Sequence, residues 1–228
     1  MTLRIRNTPT AADLAHLVLG GLIKLWLLCC YRVTVRTAAP LPLGPVLYAS
    51  NHRAFLDPPM VAIWGRMPVC YFARADLWKM PLVGRVLDIF SGIPVNRDNP
   101  GASSMKGAIE RMKAGKQVLV FPEGTRTRSG RLGRLKDGPA LFARRAGVPI
   151  VPVYLWRSEH CWPRHRALPN PFGSRLEVRF GRPLMPPADL KPRDQDRWIM
   201  LRLEAWMRLQ EKSFLHRGAS PSGSPPGS

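Results

Sequence analysis

Residues 44–58 read GPVLYASNHRAFLDP, a short apolar run that leads into polar residues and then a proline. The run is typical of a buried strand, and Asp57 before Pro58 is typical of the first turn of a helix. His52 and Asp57 lie five residues apart. That interval places two side chains on opposite faces of a strand and about 140° apart on a helix. The two side chains can therefore meet only if a turn separates the strand from the helix.

Strand patterns and helical patterns alternate on both sides of this segment. Strand patterns fall within residues 31–37, 44–52, 68–76, 88–98, 117–126 and 175–184. Helical patterns fall within residues 58–65, 103–115 and 195–214, and residues 139–155 read as a helix followed by a strand. This alternation favours an α/β fold in which a mostly parallel sheet is flanked by helices. The glycine patterns of dinucleotide-binding folds and of P-loops are absent from the sequence.

The first apolar segment, LAHLVLGGLIKLWLLCC at residues 14–30, predicts a helix that lies in a membrane interface. Its aliphatic residues favour insertion by roughly 3 to 5 kcal/mol, whereas Lys24 near its centre costs about 3 kcal/mol. The balance is marginal, so we favour an interfacial helix whose Lys24 ammonium is directed to the headgroups. A spanning helix and a signal peptide are the alternatives, and a lysine inside the apolar region argues against a signal peptide.

The charge balance points to an acidic partner. The 228 residues contain 35 Lys and Arg against 15 Asp and Glu, a net charge of +20. This excess suits an anionic membrane surface, phosphate-bearing substrates or nucleic acid, although a solvated surface in an arginine-rich protein gives the same count. No nucleic-acid-binding motif is found, so we expect no nucleic-acid partner. The cysteines Cys29, Cys30, Cys70 and Cys161 show no metal-ligand spacing, which predicts no metal and fits a reducing compartment.

His52 and Asp57 are the first candidates for chemistry. His52 follows a predicted strand, and α/β folds bind ligands at the carboxyl ends of strands. Each residue also has a structural explanation, because His52 can be a hydrogen-bonded core histidine and Asp57 can cap the following helix. Together they can form a dyad in which the imidazole accepts a proton and the carboxylate fixes its tautomer.

A second turn, FPEGTRTRSG at residues 121–130, follows the buried strand QVLV. Gly124 permits a tight backbone, Arg126 offers a planar set of donors for phosphate, and Glu123 can bind a hydroxyl or anchor an arginine. Arg97 ends another predicted strand, so the two arginines form an anion clamp on the same edge of the sheet as the dyad. An ordinary surface salt bridge is the alternative explanation for this turn.

Four blocks of the sequence resemble the glycerolipid acyltransferase family. They are NHRAFLDP (51–58), GIPVNR (92–97), VFPEGTR (120–126) and VPIVPV (148–153), in the order and spacing of the family's blocks. The best-known bacterial members are 1-acylglycerol-3-phosphate acyltransferases. The resemblance covers roughly residues 40–155, and the first and third blocks together are highly specific. It implies an α/β sheet domain with amphipathic N-terminal helices that dip into one leaflet of a membrane.

The resemblance implies a lysophospholipid acyltransferase of phospholipid biosynthesis. His52 is then the general base that deprotonates the acceptor hydroxyl, and Asp57 orients it. The hydroxyl attacks the thioester of acyl-CoA or acyl-carrier protein directly, without an acyl-enzyme. The resemblance also implies substrate-binding residues at Arg97, Glu123, Gly124, Thr125 and Arg126, and supporting residues at Asn51, Pro122 and Pro152. No cofactor is expected beyond the acyl donor as co-substrate.

The sequence patterns and the resemblance together predict the organisation and location of the chain. Residues 1–35 form a membrane-associating helical segment, residues 36–215 form the acyltransferase domain, and residues 216–228 form a disordered tail rich in Gly, Ser and Pro. The expected partners are an anionic membrane surface, the acyl donor and a lysophospholipid acceptor. We expect a peripheral or monotopic protein on the cytoplasmic face of the cell inner membrane.

Two departures from the family pattern leave the acceptor open. The first block often has a serine two residues after the histidine, and here Ala54 stands there. The residue before Arg97 is Asn96 instead of the usual aromatic or β-branched residue. The acceptor is therefore lysophosphatidate or another lysolipid such as lyso-ornithine lipid. A non-catalytic basic membrane-binding module and a hydrolase that uses the dyad with water are the alternatives of other classes, and the absence of G-x-S-x-G argues against a serine nucleophile.

Overall fold

A computed structural model of the chain describes residues 11–65, 69–89, 91–95, 102–127, 129–162, 166, 168–170, 172–173 and 175–219. Its helices are α1 (Ala11–Cys30), α2 (Asp57–Ala62), α3 (Pro81–Ile89), α4 (Ala102–Lys113), α5 (Gly138–Ala146), α6 (Ser158–Cys161) and α7 (Pro192–Ala219). Its strands are β1 (Arg32–Thr37), β2 (Leu47–Ser50), β3 (Val69–Arg74), β4 (Ile93–Val95), β5 (Gln117–Val120), β6 (Ile150–Trp156) and β7 (Arg175–Phe180). A short 3-10 helix covers Ala75–Lys79.

The strands form one seven-stranded sheet in the order β1-β7-β6-β2-β5-β3-β4. Strands β2 to β6 all run parallel, with Leu47 of β2 facing Val118 of β5 and Ile150 of β6. Strands β1 and β7 run parallel to each other, and β7 is antiparallel to β6. The predicted mostly parallel sheet flanked by helices is confirmed. The carboxyl ends of β2, β5 and β6 therefore meet at one edge.

Both faces of the sheet are covered, which is why its central strands are mainly apolar, with the buried Ser50 and Gln117 as exceptions. One face packs against α1, α2 and α3 through side chains such as Leu27, Met60 and Leu87. The other packs against α4, α5 and α7, with Ala108 and Leu203 in that core. Side chains of a strand alternate between faces, so β2 contributes alternately to the two cores. The site-bearing loops at the edge are thus held by two cores at once.

One predicted strand is shorter than expected. Residues 88–98 were predicted as a strand, but Asp88 and Ile89 belong to α3, and among the described residues of this range the strand is Ile93–Val95. The helix ends where the backbone N–H of Gly92 donates to the carbonyl of Leu87 at 2.7 Å, after Ser91 with a positive φ of 51°. The apolar residues on either side of this reversal look like one strand in the sequence. Arg97, at the end of the predicted strand, lies outside the described residues.

Helix α1 packs on the sheet by one side only. Leu27 is fully buried against the core. A row of apolar side chains on the other side is 52–62% exposed, namely Leu14, Leu17, Val18, Leu22, Leu25 and Leu28. None of the described helices is both long enough and apolar enough to cross a membrane. Association of residues 1–35 with a membrane stays a prediction.

The predicted segment boundaries fall inside regular structure. Residue 35 lies within β1, which pairs with β7 from Arg32 to Thr37. At the other end, α7 continues to Ala219, so residues 216–219 are helical. The rest of the predicted tail, residues 220–228, lies outside the described residues.

Replacing Leu47 with alanine should lower the free energy of unfolding by about 2–5 kcal/mol, because a fully buried side chain of the central strand would leave a cavity. Urea denaturation followed by circular dichroism measures this loss. The matched control is Leu43→Ala, an exposed leucine just before the strand, which should stay within about 0.5 kcal/mol. Equal losses in both variants would contradict the assignment of β2 to the core.

Candidate active site

The loop between β2 and α2 brings His52 and Asp57 into contact. The imidazole Nδ1 lies 2.8 Å from the Asp57 Oδ2. The same carboxylate oxygen accepts the backbone N–H groups of Arg53 and Ala54 at 2.5 and 2.7 Å. Asp57 is fully buried, and its side chain turns back to the loop instead of capping α2, whose N-cap residue is Leu56. The helix-capping explanation of Asp57 is therefore wrong for this structure.

The contact with Asp57 fixes the tautomer of the neutral imidazole ring. A carboxylate oxygen only accepts hydrogen bonds, so the Nδ1 of His52 donates, and Nε2 is left as the acceptor of the neutral ring. Phe121 stacks on the ring with centroids 3.9 Å apart and planes 16° apart. The ring is half-buried, held at one edge by a carboxylate and on one face by an aromatic side chain. Such a ring can accept a proton from a bound hydroxyl group.

The loop keeps its hydrogen bonds to Asp57 although Ala54 stands where the family often has a serine. The Ala54 side chain is fully buried. The group that Asp57 uses at this position is the backbone N–H, which every residue except proline supplies. A side-chain hydroxyl at position 54 is therefore not required for the His52–Asp57 contact.

Asn51, a predicted supporting residue, ties the loop to β6. Its side-chain amide donates to the carbonyl of Leu155 at 2.9 Å, and its Oδ1 accepts the N–H of Leu155 at 2.7 Å. The side chain thus replaces the next pair of ladder hydrogen bonds after β2 ends. His52, the next residue, starts from a backbone that is fixed on the sheet.

Arg53 anchors the loop on the other side of His52. The sequence motifs did not assign Arg53 a role. Its guanidinium donates to Glu159 Oε1 at 3.1 Å and to the Tyr154 hydroxyl at 2.9 Å. The Arg53 side chain is only 9% exposed, an unusual place for an arginine that lacks partners. No sequence signal marks these partners, because they lie about a hundred residues further along the chain.

The second predicted turn joins the same loop through Glu123. Its Oε1 accepts the backbone N–H of His52 at 2.9 Å, and its Oε2 accepts the N–H of Gly133 at 2.8 Å. The N–H of Thr127 donates to the carbonyl of His52 at 2.9 Å. These bonds give the buried Glu123 a positioning role between two turns. Its predicted contact with substrate stays a prediction.

Arg126 lies on the same edge as the dyad. Its guanidinium carbon is 3.7 Å from the ring centroid of Phe55, which belongs to the loop between His52 and Asp57. This cation–π contact holds the Arg126 side chain at this edge. The partner arginine of the predicted clamp, Arg97, lies outside the described residues. The structure therefore brings together the dyad and Arg126.

Gly124 has a positive φ of 71°, and a side chain there would also collide with a lysine. A Cβ at Gly124 would lie 2.7 Å from the Lys136 Nζ, so the lysine lies across the turn. The backbone N–H of Lys136 donates to the carbonyl of Pro122 at 2.9 Å. Thr125 is exposed. Lys136 adds a cation to this edge that the block pattern does not include.

Pro152 lies in β6, opposite Ala49 of β2, and is buried. Its carbonyl accepts the N–H of Gly181 at 2.8 Å. These contacts give it a structural place within the sheet.

Cys161, behind Asp57, is also buried, and burial with a smaller contribution from Asp57 raises the pKa of its thiol to about 12. It is therefore a neutral thiol at pH 7 and not a nucleophilic thiolate.

A family model described as acyltransferase matches residues 32–156, more than half of the chain. A chloroplastic 1-acyl-sn-glycerol-3-phosphate acyltransferase of Brassica napus is 32% identical over 55% of this chain and 37% of its own length. A 1-acyl-sn-glycerol-3-phosphate acyltransferase of Borreliella burgdorferi is 31% identical over 60% of this chain and 56% of its own. The chain thus spans less than two thirds of the length of these curated relatives.

A solved structure shares the fold. The crystal structure of the 1-acyl-sn-glycerophosphate (LPA) acyltransferase PlsC from Thermotoga maritima superposes with a TM-score of 0.68 at 21% identity. The match covers 90% of this chain and 84% of the Thermotoga chain. It therefore includes nearly all of the sheet and helices described above.

Replacing Arg53 with methionine should lower the free energy of unfolding by about 2 kcal/mol, because it leaves the partly buried Glu159 carboxylate uncompensated. A double-mutant cycle with Glu159→Gln should show a coupling of about 1 kcal/mol, measured by urea denaturation. Arg74→Met, which breaks an exposed pair with Asp76, is the control and should change stability little. Additive losses in the cycle would contradict a working Arg53–Glu159 pair.

Proposed function

This chain belongs to the acyltransferase family, and we propose that it transfers a fatty acyl group from acyl-CoA or acyl-carrier protein to the free hydroxyl of a lysophospholipid. We take 1-acylglycerol-3-phosphate as the acceptor and phosphatidate as the product, as the names of the curated relatives suggest. The observation that carries the proposal is the 2.8 Å contact between His52 and the buried Asp57 at the carboxyl edge of the sheet.

The proposed reaction is a direct acyl transfer. His52 Nε2 accepts the proton of the acceptor hydroxyl while that oxygen attacks the thioester carbonyl. The new C–O ester bond forms, the C–S bond breaks, and the leaving thiolate takes the proton from the imidazolium. Asp57 holds the reactive tautomer and stabilises the imidazolium, as in other carboxylate–histidine pairs. No acyl-enzyme and no cofactor take part in this scheme, in which the acyl donor is a co-substrate.

The cations at the edge suit an acidic acceptor. Arg126, whose guanidinium contacts the Phe55 ring, is placed to donate to a phosphate group, and Lys136 lies across the same turn at Gly124. We propose that Arg97 completes this site. The net charge of +20 adds a long-range attraction for anionic lipid and for an acidic acyl carrier.

The exposed apolar row of α1 supports a peripheral location on an anionic membrane. Six aliphatic side chains more than half exposed along one helix are unusual in water and suit the boundary between headgroups and acyl chains. We propose that the protein lies on the cytoplasmic face of the cell inner membrane, where the lipid acceptor is present.

Another lysolipid, such as lyso-ornithine lipid, is the second candidate acceptor, and Asn96 before Arg97 is the observation that favours it. A non-catalytic basic membrane-binding module is the alternative of another class. Purified protein incubated with labelled acyl-CoA or acyl-carrier protein and a panel of lysolipids separates these possibilities. Transfer to lysophosphatidate above all others supports the proposal, and transfer to none of them contradicts it.

Replacing His52 with alanine should reduce acyl transfer by about three orders of magnitude or more, because the variant lacks the group that takes the hydroxyl proton. The initial rate of phosphatidate formation from labelled acyl donor measures this loss. His216→Ala, an exposed histidine of α7, is the matched control and should keep full activity. Normal turnover by a folded His52→Ala variant would refute the assignment.

Replacing Arg126 with methionine should raise the KM for lysophosphatidate about ten-fold or more with a smaller change in kcat, because it removes ground-state binding of the phosphate. Steady-state kinetics with the acceptor varied give both constants. Arg202→Met removes another arginine stacked on an aromatic ring, Trp198, and should leave both constants unchanged. An unaltered KM in Arg126→Met would exclude Arg126 from acceptor binding.

A further inference from the structure

The connection between α6 and β7 exposes two large apolar side chains. Leu168 is 75% exposed and Phe172 is 78% exposed. Phe172 has the highest exposure of the large apolar side chains in the described part of the chain. We use the name Asn170 loop for the described residues 166, 168–170 and 172–173 of this connection. Single exposed apolar residues are ordinary, so the case depends on how the Asn170 loop is held and where it lies.

Hydrogen bonds from Asn170 hold the loop in shape. Its backbone N–H donates to the carbonyl of Cys161 at 2.7 Å, and its side-chain amide donates to the carbonyl of His160 at 2.6 Å. Its Oδ1 accepts from the Arg166 guanidinium at 2.6 Å, and its carbonyl accepts from the Tyr31 hydroxyl. The backbone and side chain of Asn170 are thus both bonded, which fixes the middle of the described part of the loop.

The Asn170 loop joins the carboxyl end of α1. The N–H of Gly173 donates to the carbonyl of Cys30 at 3.1 Å, and Tyr31 follows directly in the chain. The exposed row of α1 ends close by at Leu28. The loop is therefore attached to the end of the helix that carries the exposed apolar row.

The Asn170 loop also lies beside the candidate active site. Trp162 precedes it and donates its indole N–H to the carbonyl of Arg166 at 3.0 Å. The Trp162 ring lies 5.4 Å from the half-exposed ring of Phe55, on which Arg126 stacks. A lipid leaving a bilayer that covers the loop would meet Phe55 and Arg126 next.

We propose that the Asn170 loop is a second membrane contact, which places Leu168 and Phe172 in the apolar boundary of an anionic bilayer beside the entrance to the site. Arg166, exposed on the same loop, then lies at the level of the lipid phosphates. This inference rests on the proposed lipid acceptor. It assigns α1 and the loop different tasks, since α1 holds the protein on the surface and the loop seats the site on it.

The choice of a bilayer over a protein partner follows from three features. The loop is bonded to the end of α1, a helix that itself exposes six aliphatic side chains. A cationic side chain accompanies them, which suits phosphate-bearing headgroups. The proposed acceptor is itself a membrane lipid, so a site that rests on the bilayer can take it up directly.

The first experiment measures binding to vesicles. The double variant Leu168→Ser/Phe172→Ser should bind vesicles of phosphatidylglycerol and phosphatidylethanolamine about ten-fold or more weakly than the unaltered chain, by co-sedimentation. The control Leu201→Ser/Leu209→Ser changes two exposed leucines of α7, on the opposite face of the sheet, and should bind within two-fold. Equal binding by the loop variant and the unaltered chain would overturn the proposal.

The second experiment locates the loop in the bilayer without changing its apolar residues. Lipids brominated on the acyl chain quench tryptophans that lie near them, and the Trp162→Phe variant reports how much of the quenching belongs to Trp162. A loss of quenching in Trp162→Phe supports the proposal. Unchanged quenching places the loop away from the acyl chains and overturns it, and this result does not depend on the folding of the serine variant.

The third experiment tests what the contact does for the reaction. On long-chain lysophosphatidate embedded in vesicles, the loop variant should lose about five-fold or more in rate, and on a short-chain, water-soluble lysophosphatidate it should keep the rate. Equal losses on both acceptors would mean that the loop shapes the site, which overturns the proposal. A loss seen only with acyl-carrier protein as donor, with vesicle binding intact, would make the loop a carrier-docking surface and would overturn it too.

Failure of the proposed function gives a different result. If the unaltered chain transfers acyl groups to neither acceptor, the proposed reaction is wrong, whereas vesicle binding and quenching still decide whether the loop contacts a bilayer. If transfer occurs and the loop variant binds vesicles normally, the proposed function stands and the loop contact is wrong.

Discussion

A buried carboxylate without enough donors would destabilise this fold, and within a single turn three donors converge on one oxygen of Asp57. Its Oδ2 accepts from the His52 ring and from the backbone of Arg53 and Ala54. A buried charge is tolerated only when it is hydrogen-bonded. Folding the turn and orienting His52 are therefore one event, because the same oxygen does both. The histidine cannot take another orientation without leaving the carboxylate with one donor fewer.

The turn that holds His52 is itself fixed from two sides. Asn51 and Arg53 bind residues of β6 and α6, whereas Glu123 and Thr127 bind the backbone of His52 itself. Small displacements of a reacting group are costly for catalysis. Positioning by side chains that are themselves packed and hydrogen-bonded is what keeps such displacements small.

Much of the fold follows from local patterns, and the exceptions have local causes. The central strands were predictable because a strand buried on both faces is apolar throughout, and the helix from Ala102 to Lys113 was predictable from its apolar periodicity. The end of α3 was not, because the apolar residues on both sides of Ser91 and Gly92 look like one strand, although a Ser-Gly pair is itself a turn signal. The candidate site shows the same division between local and distant features. Motifs in the sequence predict His52, Asp57 and Arg126, whereas Tyr154 and Glu159, which anchor Arg53, belong to no motif.

The sequence by itself determined the type of chain: an α/β domain, a histidine and a carboxylate separated by a turn, and the blocks of the acyltransferase family. These features are local, and neighbours in the sequence decide them. Only the tertiary structure decided that Asp57 bonds to the loop instead of capping α2, that Glu123 joins two turns, and that the Asn170 loop lies beside α1. Each of these depends on contacts between residues that a chain reversal or the sheet brings together. Hydrogen-bond partners of this kind leave no periodic pattern in a single sequence.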